Sequence, residues 1–274
     1  MASLKGWLAA AHPFPLALVL ALTALVGIAS TDGELDEGRL ALALVAMALS
    51  QLAIGWSNDY LDRETDSAQQ PWKPVPSGLV RAEQMPPAIG AVLVGSLAAG
   101  AWLGLAPLML LVAGTACGLA YNLGLKDTRW SAVPFVVALA LLPAFVWASL
   151  DVYRDDFLWL YAIGVPLALA AHLANTLPDI EGDAAAGRRG LTVRLGRKRS
   201  IVAVSVCLLL GLLIGWLAQD AAESGQLAVA VLYAVLSVAG MLAYVPVTRH
   251  GDVWAFRLVA VAGIVLATGW LATA

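Results

Sequence analysis

Charge is what this sequence has least of. Only 13% of its 274 residues are charged, about half the share of an ordinary soluble domain. Hydrophobic residues reach 61%, against roughly 45–50% in such a domain. A soluble fold this apolar could not cover its surface, so the composition excludes one and indicates an integral membrane protein. The formal net charge of −3 is close to neutral and gives no sign of a nucleic-acid partner, and none is expected. Cysteine is scarce too. Cys117 and Cys207 both sit inside apolar runs without metal-ligand spacing, and read as small buried hydrophobes. The first apolar run lacks an Ala-x-Ala-like cleavage site, so it is expected to stay as a helix.

What is present is a succession of long apolar runs. A spanning helix needs roughly 17–25 apolar residues to cross about 30 Å of hydrocarbon. Nine segments meet that length, near 13–30, 38–57, 86–105, 107–123, 132–150, 158–178, 200–218, 227–246 and 253–272. The third and fourth are expected to form a hairpin turning at Pro107, since one helix through both would be too long. Loops after odd-numbered spans are short or acidic, and loops after even-numbered ones are basic. Fourteen of the sixteen Lys and Arg residues fall on the N-terminus and the even loops, leaving Arg39 and Arg154 for the other face. By the positive-inside rule the N-terminus and the even loops face the cytoplasm. The expected fold is all-α and integral to the membrane, one domain over residues 1–274, in a cell membrane. The Ala/Leu/Val-rich, Lys-poor composition suggests a bacterial source.

Two even loops carry matching polar stretches. Asn58-Asp-Tyr-Leu-Asp-Arg-Glu-Thr-Asp66 follows span two and Asn175-Thr-Leu-Pro-Asp-Ile-Glu-Gly-Asp183 follows span six. Both obey Asn-x3-Asp-x3-Asp, 117 residues apart, and suggest a diverged internal repeat. On a helix that spacing stacks the three side chains on one face. Two such faces turned toward each other would offer about six oxygen ligands, from Asn58, Asp62, Asp66, Asn175, Asp179 and Asp183, with Asp59 beside the first set. Acidic clusters at a span's end are costly unless they work as a site. Hard oxygen donors without His or Cys point to Mg²⁺, which favours carboxylates together with phosphate oxygens. The plainer reading is solvated helix caps, and the shared template argues against it.

Cations follow each set. Lys73 lies in a Pro-rich turn after the first, Arg188 and Arg189 come after the second, and Tyr121 to Lys126 close span four. Carboxylates, Mg²⁺ and fixed cations together suit a diphosphate. As an alternative, each cation serves as a positive-inside anchor, the preferred reading for Arg194 to Arg199. His172, three residues before Asn175, is either a general base and acceptor contact or a satisfied helix–helix hydrogen bond. His12 lines an acceptor site or is simply interfacial, and His250 reads as a solvated loop residue. Trp56, two residues before Asn58, offers a π face to a cation or merely packs.

These stretches resemble those of the UbiA family of intramembrane prenyltransferases. Asn58 to Asp66 followed by Lys73-Pro-Val-Pro-Ser-Gly78 is similar to its first aspartate motif. Asn175 to Asp183 followed by Gly190-Leu-Thr-Val-Arg-Leu-Gly196 is similar to its second, and Tyr121 to Lys126 to its tyrosine-and-lysine motif. The resemblance implies nine helices around a central cavity, and Mg²⁺ on Asn58, Asp62, Asp66, Asp179 and Asp183, with Asn175 and Asp59 added. It further implies diphosphate contacts from Lys73, Tyr121 and Lys126, and transfer of a prenyl group from an isoprenyl diphosphate to a hydrophobic, aromatic or quinone-precursor acceptor. Two departures stand out. The start of span one, Ala11-His-Pro-Phe-Pro15, lacks an Arg that many members carry, and Gln69-Gln-Pro-Trp72 lacks the His-Pro pair of the phosphoribosyl-transferring branch. A membrane terpene cyclase and transfer to a non-aromatic lipid or sugar-phosphate acceptor are the alternatives, with a cation transporter behind them.

Overall fold

The computed structural model describes residues 4–31, 33–153 and 158–217, together with Arg257. The described chain is helical throughout, without a strand among those residues. Helix α1 (Leu4–Ala10) meets α2 (Pro13–Ala29) at a 64° bend. Next come α3 (Glu37–Gln69), α4 (Met85–Leu103), α5 (Leu105–Asn122) and α6 (Ala132–Leu150). Then follow α7 (Trp159–Thr176), the short α8 (Ile180–Ala185) and α9 (Leu191–Leu217), which kinks at Gly196. Six helices are long and apolar enough to span a bilayer, or seven if the bent α1–α2 pair counts as one. The chain is a multi-pass membrane protein. The first seven expected spans coincide with these helices, and the eighth and ninth lie outside the described residues.

Two compact units make up the chain. One takes Met1–Gly124 and Leu141–Tyr153, the other Leu125–Ala140 and Arg154–Ala274. In the first, α3 is the central helix and packs against α2, α4 and α5. Thr115 and Ser50 share a 2.7 Å hydrogen bond between α5 and α3. Ser96 on α4 donates to the Ala46 carbonyl of α3 at 2.9 Å. With no water in the hydrocarbon, such pairs satisfy the hydroxyls and hold helices together. In the second unit α7 packs on α9 around Ala170, Leu173, Ala174, Leu177, Val204 and Leu208, and Cys207 is buried among them as a hydrophobe.

Three local expectations need correction. The α4–α5 break falls at Gly104, whose φ of 128° few other residues tolerate, and Pro107 lies inside the first turn of α5. Proline fits there because the first turn's N–H groups have no helical partner anyway. Helix α3 does not end with its apolar run near residue 57 but continues for twelve residues to Gln69. The first acidic set therefore rides on α3 itself, as its i, i+4, i+8 spacing implies. The second set does not share one helical face. Pro178 ends α7 at Thr176, a 3₁₀ turn covers Leu177–Asp179, and α8 begins at Ile180. Arg39, one of the two cations off the basic face, caps helix ends: it donates to the carbonyls of Ser149 (2.6 Å) and Leu103 (3.0 Å).

Candidate active site

In the first unit the acidic set rides on α3 and is pinned by its neighbours. Asn58 Nδ2 donates to Asp62 Oδ2 at 3.1 Å, the i,i+4 pairing that the spacing implies. It also donates to Asn122 Oδ1 at 3.2 Å. Asn122 in turn donates to the Ile54 carbonyl and to Ser57 Oγ, both at 2.8 Å. The end of α5 is thus stitched to α3 beside Asn58. Both bonds of Asn58 run through its nitrogen, so Oδ1 is the atom a cation would take.

Lys73 closes the set. Its Nζ donates to Asp66 Oδ2 at 2.8 Å and lies 3.8 Å from Asp59 Oδ1. Asp59, 1% exposed, also accepts from His12 Nε2 at 3.0 Å. Burial alone pulls the Lys73 ammonium down, but the hydrogen bond to Asp66 and the fields of Asp59, Asp66 and Asp62 outweigh it. Its pKa therefore stands above the ordinary lysine value, and the group stays cationic. The turn that carries it is held by Lys73 N–H to Gln70 O and Ser77 N–H to Lys73 O, both 3.0 Å. Val80 at its end is buried with Ala10 of α1 and Met85, and Trp7, Trp56 and Tyr60 pack against that cluster. Trp7 and Trp56 meet edge to face at 4.7 Å, which gives Trp56 a packing partner.

The second unit repeats the acid-then-cation arrangement with other parts. Arg188 lies 3.3 Å from Asp183 Oδ1 through Nη1 and 3.5 Å from Asp127 Oδ1 through Nε. The Arg189 N–H donates to the Asp127 carbonyl at 3.2 Å, which ties the Lys126–Asp127 turn to the turn after α8. Gly190 allows that closeness, since a Cβ there would stand 2.8 Å from the Lys126 carbonyl oxygen. Asn175 and Asp179 are exposed. Tyr121 lies in the last turn of α5 in the first unit, whereas Lys126 belongs to the second. His172, 1% exposed, has its Nε2 3.1 Å from Ser131 Oγ, which also accepts the Leu191 N–H at 3.1 Å. Phe135 packs on its ring at 5.7 Å between centroids. Ser131 thus links His172 of α7 to the segment before α6 and to the start of α9.

Among the described residues no three Asp, Glu, His or Cys side chains converge as a ready-made cation cage. The donor set nonetheless fits Mg²⁺. It consists of carboxylates and amide oxygens alone, and Mg²⁺ commonly takes one or two carboxylates and completes its six positions with waters and phosphate oxygens. Sequence reasoning missed the roles of Asn122 and Asp127, and it named His12 and Asp59 without pairing them. A buried amide at the end of an apolar helix was the available signal for Asn122, since such a group demands partners.

Comparison with known proteins identifies the family and the fold. Residues 17–247 match the UbiA prenyltransferase family. A digeranylgeranylglyceryl phosphate synthase of Methanopyrus kandleri is 28% identical over 260 residues, covering 86% of this chain and 90% of that one. Another, of Methanoregula boonei, is 30% identical over 211 residues, covering 74% and 73%. Both relatives are archaeal, so they lend no support to a bacterial source or to quinone biosynthesis. A UbiA homolog from Archaeoglobus fulgidus bound to GPP and Mg²⁺ superposes with a TM-score of 0.69 at 17% identity, covering 97% of this chain and 99% of that one. A second, from Aeropyrum pernix K1, gives 0.72 at 17% identity, covering 93% and 96%. At such identity the likeness shows the fold. The chain belongs to the UbiA prenyltransferase family.

Proposed function

We propose that the protein transfers a prenyl group from an isoprenyl diphosphate to a glyceryl-phosphate-type lipid acceptor, with Mg²⁺ as cofactor. One observation carries the donor half of this reading: each acidic set is followed closely by a cation seated on its last carboxylate, Lys73 on Asp66 and Arg188 on Asp183. Carboxylates and cations in alternation suit a ligand with several negative oxygens that brings metal with it. Mg²⁺ would be held by Asn58, Asp62 and Asp66 and by Asn175, Asp179 and Asp183, where it would draw charge from the diphosphate oxygens. Lys73 and Arg188 leave their carboxylates to contact the diphosphate, with Lys126, Arg189 and Tyr121 as further contacts. As the bond from the prenyl carbon to oxygen breaks, pyrophosphate takes both electrons, and these fixed cations meet charge that grows in the transition state. The acceptor hydroxyl oxygen then bonds to the allylic carbon, and its proton passes to the released pyrophosphate.

The acceptor half rests on the named archaeal relatives, which are digeranylgeranylglyceryl phosphate synthases. It replaces the aromatic acceptor expected above. The test uses detergent-purified protein with geranylgeranyl diphosphate, with and without Mg²⁺. Three arms differ in acceptor: geranylgeranylglyceryl phosphate, a panel of phenols, and none. Mg²⁺-dependent pyrophosphate release with an ether product in the first arm supports the reading. A prenylated phenol alone would restore the aromatic acceptor, and a hydrocarbon without acceptor would make the protein a cyclase.

A further inference from the structure

Asp59 differs from Asn58 and Asp62 in position and in its partners, and shares the side of the helix that Asp66 occupies. At about 100° per residue it lies roughly 60° from Asp62 and about 100° from Asn58 around the helix, but only about 20° from Asp66. Its carboxylate is 2% exposed, and one oxygen meets two nitrogen-bearing side chains, His12 Nε2 at 3.0 Å and Lys73 Nζ at 3.8 Å. His12 does not reach it by chance of rotamer. Its backbone is left-handed, with φ 48° and ψ 68°, at the bend between α1 and α2 and directly before Pro13. A non-glycine residue held there stores strain that surrounding contacts must maintain. The helix beneath accommodates it, because at Gly55 a Cβ would stand 3.3 Å from both the Ala10 carbonyl oxygen and His12 Cδ2. Asp59 thus ties three segments together: the α1–α2 bend, α3 and the turn that carries Lys73.

Resting on the prenyltransferase reading above, we propose that Asp59 and His12 are positioning residues for Lys73, and that Asp59 is not a metal ligand. Asp59 fixes where the Lys73 ammonium stands when it exchanges Asp66 for a diphosphate oxygen, and His12 fixes Asp59. Removing either leaves the metal-binding oxygens of Asn58, Asp62 and Asp66 in place but lets Lys73 wander.

Binding, rather than turnover, separates this from a ligand role and from a merely structural one. Mn²⁺, a paramagnetic stand-in for Mg²⁺, is titrated into full-length protein by electron paramagnetic resonance, and inorganic pyrophosphate is titrated into the Mn²⁺-loaded protein. Asp59→Asn should keep the Mn²⁺ Kd within about twofold while raising the pyrophosphate Kd about tenfold, whereas Asp62→Asn should weaken Mn²⁺ itself by tenfold or more. His12→Ala should raise the pyrophosphate Kd about threefold and His12→Gln, which keeps a donor, should restore it. In a Lys73→Met background neither change should add anything, because the residue they position is gone. If Asp59→Asn proves too unstable to purify, the His12→Ala and Lys73→Met cycle asks the same question. An Asp59→Asn protein that loses Mn²⁺ as Asp62→Asn does, or effects that add to those of Lys73→Met, would overturn the proposal while the prenyltransferase reading stood. Wild-type protein that binds neither Mn²⁺ nor pyrophosphate would overturn both.

Discussion

The two acidic sets obey one template but are built on different backbones. The first stays helical through all nine of its residues, has Asp59 and Asp66 buried, and is clamped by Asn122 and His12. The second crosses from α7 through a 3₁₀ turn into α8, with Asn175 and Asp179 exposed. The difference traces to one residue. Pro178 has no N–H to donate to the carbonyl four residues back, and where α7 runs on through Pro166, at Pro178 the backbone instead tightens into the 3₁₀ turn Leu177–Asp179. At the corresponding place the first set has Leu61, which continues the helix freely. Equal spacing in sequence therefore does not mean equal geometry. One set is a rigid rack, and the other is a corner that turns its two aspartates by different amounts.

The sharpest way to break this comparison is to remove a central carboxylate from each set. If both hold metal, Asp62→Ala and Asp179→Ala should each lower Mg²⁺-dependent pyrophosphate release by about 100-fold or more, the scale seen when a group that stabilises transition-state charge is lost. An Asp179→Ala protein retaining a third of wild-type release would mean that the corner is only a helix end, and that the template match is incidental.

Much of this was legible before the structure. Apolar run lengths locate the first seven spans, five of them to within a few residues at both ends, because hydrocarbon thickness is a strict ruler. The same ruler is blind beyond the hydrocarbon, which is why α3 runs twelve residues past its apolar end unannounced. Pro178 was visible too, and its breaking power outweighs the i,i+4 pattern laid over it. The hairpin between α4 and α5 follows the same logic in reverse, since Gly104 makes the turn and Pro107 merely starts a helix. Long-range pairs were not legible. Nothing local to His12 points at Asp59, 47 residues away, and nothing local to Ser131 points at His172, 41 away. Such partners are set by how helices pack, which one sequence does not encode in any short pattern.

Pro178→Ala sharpens the comparison by making the second set resemble the first. Alanine is the best helix former and lets α7 run on toward α8, which moves Asp179 and Asp183 to new azimuths relative to Asn175. Thermal unfolding in detergent should shift upward or not at all, while turnover falls roughly three- to tenfold through misplacement of the two aspartates. A variant that is both as active and as stable as wild type would show that the corner is without consequence.

The smallest effect on activity is expected at Ser131, where the two readings of His172 part. Ser131 Oγ is within hydrogen-bonding distance of His172 Nε2 and accepts the Leu191 N–H, each at 3.1 Å, so it locks α7 and the start of α9 to the segment before α6. Ser131→Ala leaves that N–H and one ring nitrogen short of a partner, and loss of a buried hydrogen bond costs about 1–3 kcal/mol. If His172 is a structural linker, unfolding should occur at lower temperature while the rate and its pH dependence stay within about twofold of wild type, since no reacting atom loses a contact. If His172 is a general base oriented by Ser131, the rate should instead drop by about tenfold or more and its pH profile should move, because freeing an imidazole from its orienting partner changes both its position and its basicity. The observed packing, with Phe135 against the ring and only 1% of His172 exposed, favours the linker. A base must reach the acceptor hydroxyl, and a side chain this enclosed would first have to break the bonds that hold it.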